Sequence, residues 1–130
     1  MNEAIETILQ HRSIRRFEDR PLTDKQIRTI VECAQAASTS SYVQAYSIIG
    51  VNDPEKKRRL AELAGNQSYV EHNGHFFVFC ADFHRHELIG ELEEKDVLPA
   101  LESTEKFMVA LIDTALAAQN AAIAAESMGL

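Results

Sequence analysis

A long apolar segment near the end of the sequence constrains the fold more than any other feature. Residues 101–128 are predicted to form one helix, and seven of the eleven residues at 115–125 are alanine. Apolar side chains occupy almost every face, so the helix is expected to be buried nearly all round. Asp113, Asn120 and Ser127 recur every seven residues and predict one polar seam along it.

Shorter elements are predicted before this helix. Asn2 caps a first helix, and Thr23 begins a second one, with Gln26 three residues later completing a capping box. A run of apolar residues at 75–81 predicts a strand that is buried on both faces. The other predictions are a helix at 2–10, a polar turn at 38–41, a strand at 46–51, a helix at 52–65, and a mobile polar segment at 84–100.

Two strands and one enclosed helix do not make a balanced domain. The helix needs more surface around it than the other predicted elements supply, and a strand would normally follow Met128-Gly129-Leu130. We therefore expect either an obligate oligomer or a truncated chain. Residues 1–130 are expected to form a single domain.

The charge and the cysteines limit the class of protein. The 130 residues carry a net charge of −7, which argues against a general nucleic-acid binder. Cys33 and Cys80 are far apart and are expected to be free thiols in a reducing compartment. No signal peptide is recognised, because the first ten residues are polar. No membrane span is recognised either, because polar residues interrupt the apolar segment at 107–130. A cytoplasmic location is therefore expected.

The segment His11-Arg12-Ser13-Ile14-Arg15-Arg16-Phe17 concentrates positive charge in this acidic chain. Arg12 and Arg15 could hold a phosphate bidentately, and Ser13 could donate its hydroxyl to the same group. The alternative is a solvated basic loop that forms salt bridges to acidic residues.

Two further polar segments are candidate ligand contacts. The hydroxyls of residues 38–41 could bind a polar ligand, although this segment could equally be an ordinary helix end followed by a turn. In the segment 65–69, the amide of Gln67 could pair with a ring that carries both donors and acceptors. The histidine pairs at 72/75 and 84/86 lack supporting ligands, so no metal site is expected.

Taken together, these motifs resemble one family. The order "HRSIR", "STSSYVQAYSI", "GNQSYV", "FFVFCAD" and an alanine-rich helix ending "AAESMGL" is similar to the NADPH-dependent flavin reductases and oxygen-insensitive nitroreductases of the nitroreductase superfamily. The resemblance covers essentially the whole chain. It implies an α+β fold with an antiparallel-dominated sheet flanked by helices, and a homodimer whose interface contains the long central helix.

The resemblance also implies a cofactor and its ligands. Two FMN molecules would lie at the dimer interface, with the arginine-containing segment on the phosphate and ribityl side. The serine tract would reach the flavin from the other subunit, and Gln67 would bind near the ring with Tyr69 beside it. The cofactor-binding residues implied in this way are His11, Arg12, Ser13, Arg15, Ser38, Thr39, Ser41, Gln67 and Tyr69.

One departure from the family pattern bears on activity. Family members continue with a glycine-rich strand, a Lys-x-Arg pair and a C-terminal extension, and these motifs do not occur in the 130 residues. The expected function is transfer of hydride from NADPH through bound FMN to flavins, nitroaromatics or quinones, with no catalytic side chain. The alternatives are a non-catalytic dimerising remnant that binds FMN weakly or not at all, and a module that binds a small anion or nucleotide.

Overall fold

The computed structural model describes residues 2–130, which form helices and one small antiparallel sheet. The helices are α1 (Glu3–Gln10), α2 (Asp24–Gln35), α3 (Pro54–Leu63), α4 (Ser68–Glu71), α5 (His84–Leu92), α6 (Leu98–Leu101) and α7 (Thr104–Ser127); the strands are β1 (Tyr46–Val51) and β2 (Phe76–Ala81), and a 3₁₀ turn spans Ser40–Tyr42.

The first helices begin where the sequence predicts. Asn2 accepts a hydrogen bond from the Ile5 amide and caps α1. Thr23 and Gln26 form both bonds of the predicted capping box at the start of α2. Each cap satisfies backbone donors that the first turn of a helix leaves unpaired, which is why these local signals place helix starts well.

The two strands pair antiparallel, with Tyr46 opposite Ala81 and Val51 opposite Phe76. The prediction that the second strand is buried on both faces is wrong for the described residues. The side chains of Phe76 to Cys80 are only half-buried. The reason is that the sheet has only two strands. Helix α7 packs against it, and the other described residues leave the rest of the sheet surface uncovered.

The alanines of α7 allow a close contact with α2. Ile30 and Ala34 of α2 pack with Tyr46 of β1, Ala117 and Ala121 in one buried cluster. Ala34 and Ala117 are fully buried. Because alanine has only a methyl side chain, the two helix backbones come close together without leaving a cavity.

As the sequence predicts, the other described elements do not supply enough surface to enclose α7. Its buried positions, among them Ala110 and Ala124, lie on one face. On the other face large apolar side chains are exposed, with Phe107 at 60% and Ile112 at 54% of their full exposure. Within the described residues the helix is therefore enclosed on one side only.

By length and apolar composition, α7 could also cross a membrane, with a mean hydropathy of 1.5 over its most apolar window. Core helices pass the same test. Polar side chains in the interior of α7 bond to neighbouring elements: Asp113 accepts from backbone amides before β1, and Asn120 donates to the Cys33 carbonyl. These contacts are typical of a helix that packs within a protein core.

The segment at 84–100, predicted to be polar and mobile with Gly90 and Pro99 as helix breakers, contains α5 and most of α6, so neither residue breaks a helix there. Gly90 lies in α5 under Val97, since a Cβ there would come within 2.6 Å of a Val97 methyl. Pro99 lies in the first turn of α6, where its missing N–H costs nothing. Both residues interrupt helices in other settings, and only their packing shows that here they do not.

Candidate functional site

The arginine loop, residues 11–17, directly follows α1 and has no regular secondary structure. His11 ends the helix with extended backbone angles, and every residue of the loop is exposed. An exposed segment with free backbone and positive side chains is accessible to a ligand.

One contact joins this loop to the end of α7. The Nδ1 atom of His11 lies 2.8 Å from Oε1 of Glu126. Beside it is a groove of about 220 Å³, which Arg12 lines together with Thr7 and Ile14. The start of the arginine loop is thus held against the long helix, while the rest remains open.

The guanidinium groups of Arg12 and Arg15 have no carboxylate partner within residues 2–130. Arg58 and Arg59, by comparison, both bind Glu62, whereas Arg16 and Arg28 also lack a carboxylate partner among the described residues. What distinguishes Arg12 and Arg15 is their place in the loop that His11 ties to α7. The two arginines remain available for a negatively charged group from outside the described residues.

The serine loop, residues 38–45, follows α2 and has an unusual backbone. Ser41, Tyr42 and Gln44 have φ angles of 52°, 55° and 52°. Residues other than glycine rarely adopt this left-handed backbone conformation. Each one costs of order 1 kcal/mol or more in conformational free energy. Strain of this kind persists only where neighbouring contacts hold the loop.

Three side chains from other elements provide those contacts. Asp113 of α7 accepts hydrogen bonds from the backbone amides of Ser40 and Ala45, each at 3.2 Å. Arg85 donates to the Gln44 carbonyl and His86 Nε2 lies 2.8 Å from the Val43 carbonyl. The loop is therefore fixed from α7 on one side and from α5 on the other.

The hydroxyls of this loop are largely unused. Thr39 Oγ1 accepts a hydrogen bond from the Gln44 amide. The hydroxyls of Ser38 and Ser41 have no hydrogen-bond partner within the described residues. A rigid loop with free hydroxyls can hydrogen-bond a polar ligand.

The glutamine loop, residues 65–73, carries Gln67 and Tyr69. Gln67 is exposed, and its amide forms no hydrogen bond to residues 2–130. Behind it, Asn73 donates to the Tyr69 carbonyl at 2.9 Å, and buried Lys57 donates to the Asn73 carbonyl at 2.5 Å. These bonds hold the loop in place and leave the Gln67 amide free.

Beside the contact between Lys57 and Asn73, the surroundings disfavour a positive charge on His75. Burial, together with the nearby Lys57 ammonium, lowers the pKa of His75. The His75 ring packs tilted against Phe77 of β2, with the ring centroids 4.5 Å apart, and covers Gly50 of β1. A neutral imidazole in this position acts as part of the packing of the sheet.

The arginine and glutamine loops approach each other within this chain. Asp19, just beyond the arginine loop, lies 3.3 Å from His72 at the end of the glutamine loop. The Arg20 carbonyl passes so close to Gly74 that no Cβ could be placed there. The chain following the arginine loop therefore packs against the loop that carries Gln67.

The serine loop and the arginine loop contact α7 at different positions along its length. The serine loop is anchored at Asp113, whereas the arginine loop is anchored at Glu126. At ~1.5 Å per residue the helix rises about 20 Å between these two positions. Within this chain the two anchors therefore lie far apart.

No cluster of three or more His, Cys, Asp or Glu side chains with metal-binding geometry occurs within residues 2–130. His72 bonds Asp19, and His86 bonds the serine loop. The histidines that form pairs in the sequence thus have separate structural partners. Cys33 and Cys80 are both free thiols.

Sequence reasoning missed the residues that position these loops. Asp113 stood out as a polar residue in an apolar helix, but its partners were not predictable from spacing. Glu126, Arg85, His86 and Lys57 had no comparable signal, because charged residues are common on exposed helix faces.

The chain matches known proteins along almost its whole length. Residues 8–130 match the nitroreductase family profile. The chain is 68% identical over 130 residues to the FMN reductase (NADPH) of Bacillus subtilis (strain 168), a match that covers 100% of this chain and 52% of that protein. It is 48% identical over 130 residues to the NADPH-flavin oxidoreductase of Vibrio harveyi, again covering 100% and 52%. The chain thus spans about half the length of these curated relatives.

Solved structures show the same likeness. A nitroreductase from B. subtilis superposes with a TM-score of 0.95 at 68% identity, covering 97% of this chain and 51% of that one. The NADPH:FMN oxidoreductase from Vibrio harveyi, solved in complex with NAD⁺, gives a TM-score of 0.87 at 46% identity and covers 98% and 53%. These likenesses confirm the fold that the sequence predicts.

Proposed function

Because the chain belongs to the nitroreductase family, we propose that it supplies the cofactor-binding loops of an FMN-dependent oxidoreductase that uses NADPH. The printed names of its relatives, an FMN reductase (NADPH) and an NADPH-flavin oxidoreductase, support this assignment. The proposed electron acceptors are free flavins, nitroaromatics or quinones, and the proposed location is the cytoplasm.

The single observation that carries the proposal is the unpaired arginine pair. Arg12 and Arg15 have no acidic partner among the described residues of an acidic chain. A guanidinium group binds a phosphate oxygen pair bidentately, and such charge-assisted bonds are the strongest available to a side chain. FMN carries one terminal phosphate, which fits this donor set.

The other loops fit the rest of the cofactor. Ser13 is exposed beside the two arginines, and His11 is held at the same place by Glu126. The free hydroxyls of Ser38 and Ser41, the Thr39 side chain and the Gln67 amide offer donors and acceptors for the ribityl chain and the ring edge. Tyr69 is half-buried beside Gln67. We assign cofactor contacts to His11, Arg12, Ser13, Arg15, Ser38, Thr39, Ser41, Gln67 and Tyr69.

A homodimer would explain two features of the protomer. The anchors of the arginine and serine loops are about 20 Å apart along α7, so one cofactor would meet them most directly from different subunits. The exposed apolar face of α7, which includes Phe107 and Ile112, would be covered by the second copy. An apolar surface of this kind is typical of obligate dimer interfaces.

Bound FMN would supply the redox chemistry by accepting hydride from NADPH and passing electrons to the acceptor. The residues of this chain bind and orient it. The arginines neutralise the phosphate, the serine loop presents fixed hydroxyls, and the Gln67 amide pairs with polar atoms of a ring. None of these roles requires a side chain that exchanges a proton with the substrate.

Cofactor binding is tested by titrating the protein with FMN and following the quenching of flavin fluorescence. We expect saturable binding, and NADPH oxidation that depends on FMN and on an added flavin, nitroaromatic or quinone. Stabilisation against heat by FMN, but not by inorganic phosphate or ATP, separates this proposal from a general anion-binding module. A protein that takes up no FMN at high micromolar concentration would favour the non-catalytic alternative.

A further inference from the structure

We propose that Asp113 is a positioning residue that holds the serine loop in its strained conformation, and that FMN affinity depends on this contact. The claim about the loop stands on the structure alone. The claim about FMN rests on the proposed function.

The contacts of Asp113 are unusual for this helix. Asp113 is the one acidic residue within residues 2–130 that is fully buried, at 0% exposure. Oδ1 accepts from the Ser40 amide and Oδ2 accepts from the Ala45 amide, each at 3.2 Å. Each carboxylate oxygen thus binds one end of the loop, at positions five residues apart in the sequence.

The segment between these two amides contains all the strain of the loop. Ser41, Tyr42 and Gln44 have positive φ angles, and none of them is glycine. Such backbone is kept only where the surrounding structure over-determines it. The carboxylate brackets the three residues and supplies that constraint from a helix whose own backbone is regular.

The two oxygens of an aspartate side chain suit both contacts. Asp113 offers two acceptor atoms and no donor, and both groups that it meets are N–H donors. An asparagine has the same size but one acceptor, so its amide nitrogen would face one of the two amides. Burying a carboxylate is costly unless hydrogen bonds compensate it, and these amides provide that compensation.

Arg85 and His86 also contact the loop, but from an exposed and a half-buried position on α5. Their bonds reach only the carbonyls of Gln44 and Val43. Asp113 is the residue that reaches both ends of the strained segment. For this reason we assign the positioning role to α7, the helix that also anchors the arginine loop through Glu126.

The test compares Asp113→Asn with Asn120→Ala in the intact protein. Asn120 lies one polar-seam position further along α7 and bonds the Cys33 carbonyl of α2, so it controls for loss of a buried helix contact elsewhere. Cleavage by chymotrypsin measures directly how often the loop leaves its folded conformation, because Tyr42 is 79% exposed and lies in the strained segment. Cleavage after Tyr42 is followed by mass spectrometry without FMN present.

We expect Asp113→Asn to raise the rate of cleavage after Tyr42 about tenfold, and Asn120→Ala to leave it near the parent rate. Equal rates in Asp113→Asn and the parent would overturn the inference. This readout needs no cofactor, so it stands or falls independently of the proposed function.

FMN titration then tests the second claim. Asp113→Asn should weaken FMN binding about tenfold at a temperature where both variants remain folded, while Asn120→Ala should bind like the parent. Faster cleavage with unchanged FMN affinity would overturn the link between the loop and the cofactor. If the parent protein binds no FMN, the proposed function fails and the cleavage result still decides the role of Asp113.

Ser40→Pro provides a second variant that keeps the buried carboxylate. It removes the amide that Oδ1 binds, and Thr39, with φ −108° and ψ 153°, already has the backbone that a residue before proline requires. Faster cleavage after Tyr42 is expected here too. Protection equal to that of the parent would show that the contact to Asp113 does not hold the loop.

Discussion

His11 and Glu126 are 115 residues apart in the sequence and in contact in the structure, with Nδ1 of His11 2.8 Å from Oε1 of Glu126. This hydrogen bond ties the start of the arginine loop to the last turns of α7. The loop that we propose to bind phosphate therefore depends on a residue at the far end of the chain.

Replacing Glu126 by alanine should weaken FMN binding about two- to fivefold, the effect expected of a partly exposed pair. The physical reason is that His11 loses its partner and the arginine loop becomes freer before the ligand arrives. Isothermal titration with FMN measures the change. Glu105→Ala removes the same charge from the exposed first turn of α7 and should leave affinity unaltered. Equal effects of the two substitutions would mean that net charge, not the His11 contact, is responsible.

Arg15→Ala should reduce FMN affinity by about 1.5–3 kcal/mol, because a charge-assisted bond to phosphate is lost. Arg59→Ala is the matched control, since Arg59 is exposed and pairs with Glu62 on α3. Fluorescence titration with FMN compares the two variants with the parent. Arg15→Lys should recover only part of the loss, because an ammonium group cannot bind two phosphate oxygens in the same plane. An Arg15→Ala protein that binds FMN like the parent would contradict the assignment of Arg15.

Gly74→Ala should destabilise the protein by about 1–3 kcal/mol, the usual cost of overpacking a close contact. A Cβ at Gly74 would lie 1.9 Å from the Arg20 carbonyl oxygen, which is backbone and cannot turn aside. The segment after the arginine loop would have to move away from the glutamine loop. Urea denaturation measures the change in the free energy of unfolding.

Gly50→Ala is the comparison for this substitution. There the nearest atom is Nε2 of His75 at 2.5 Å, the end of a side chain that can rotate. We therefore expect a smaller loss of stability than for Gly74→Ala. The reverse order would show that the passage of Arg20 over Gly74 is not a constraint on the fold.

The hydrogen bond from Ser47 to Asp82 should make stability depend on pH. This bond, followed by the one from the His84 amide, lowers the pKa of Asp82 below its usual 3.8. A lowered pKa in the folded state stabilises the protein above the pKa of the unfolded chain, and that stabilisation is lost as pH falls through the folded value. The parent should therefore have a higher Tm than Ser47→Ala at pH 7, and the difference should shrink at about pH 3.

Ser103→Ala is the control for this pH effect. Ser103 caps α7 by accepting from the Lys106 amide, a contact without an ionisable partner. Its substitution should lower Tm by a similar amount at both pH values. A gap between the parent and Ser47→Ala that stays constant from pH 7 to 3 would refute the role assigned to Asp82.

The local features of the fold were predictable from the sequence. Thr23 and Gln26 placed the start of α2, and the strand at 46–51 was predicted with the bounds observed. Helix caps and short apolar runs involve only a few neighbouring residues, so a short window of sequence contains the interactions that decide them. The order of the loop motifs also indicated the family, which the match over residues 8–130 confirms.

Gly90 and Pro99 show where local patterns mislead. Each can interrupt a helix, and in the polar segment around them both are predicted to be helix breakers. In the fold, Val97 packs over Gly90 and Pro99 falls in a first turn, so both are compatible with helices. That outcome depends on which surfaces meet, and the sequence of the segment does not contain this information.

By itself, the sequence determined the capped helices, the two strands, the family and the arginine, serine and glutamine segments as candidate contacts. Only the tertiary structure decided that Asp113 brackets the serine loop, that Glu126 holds His11, and that one face of α7 is exposed. The physical reason is the sequence separation of the interacting residues. Helix caps and strand patterns are set by residues a few positions apart, whereas a buried carboxylate acquires its partners only when distant segments pack around it.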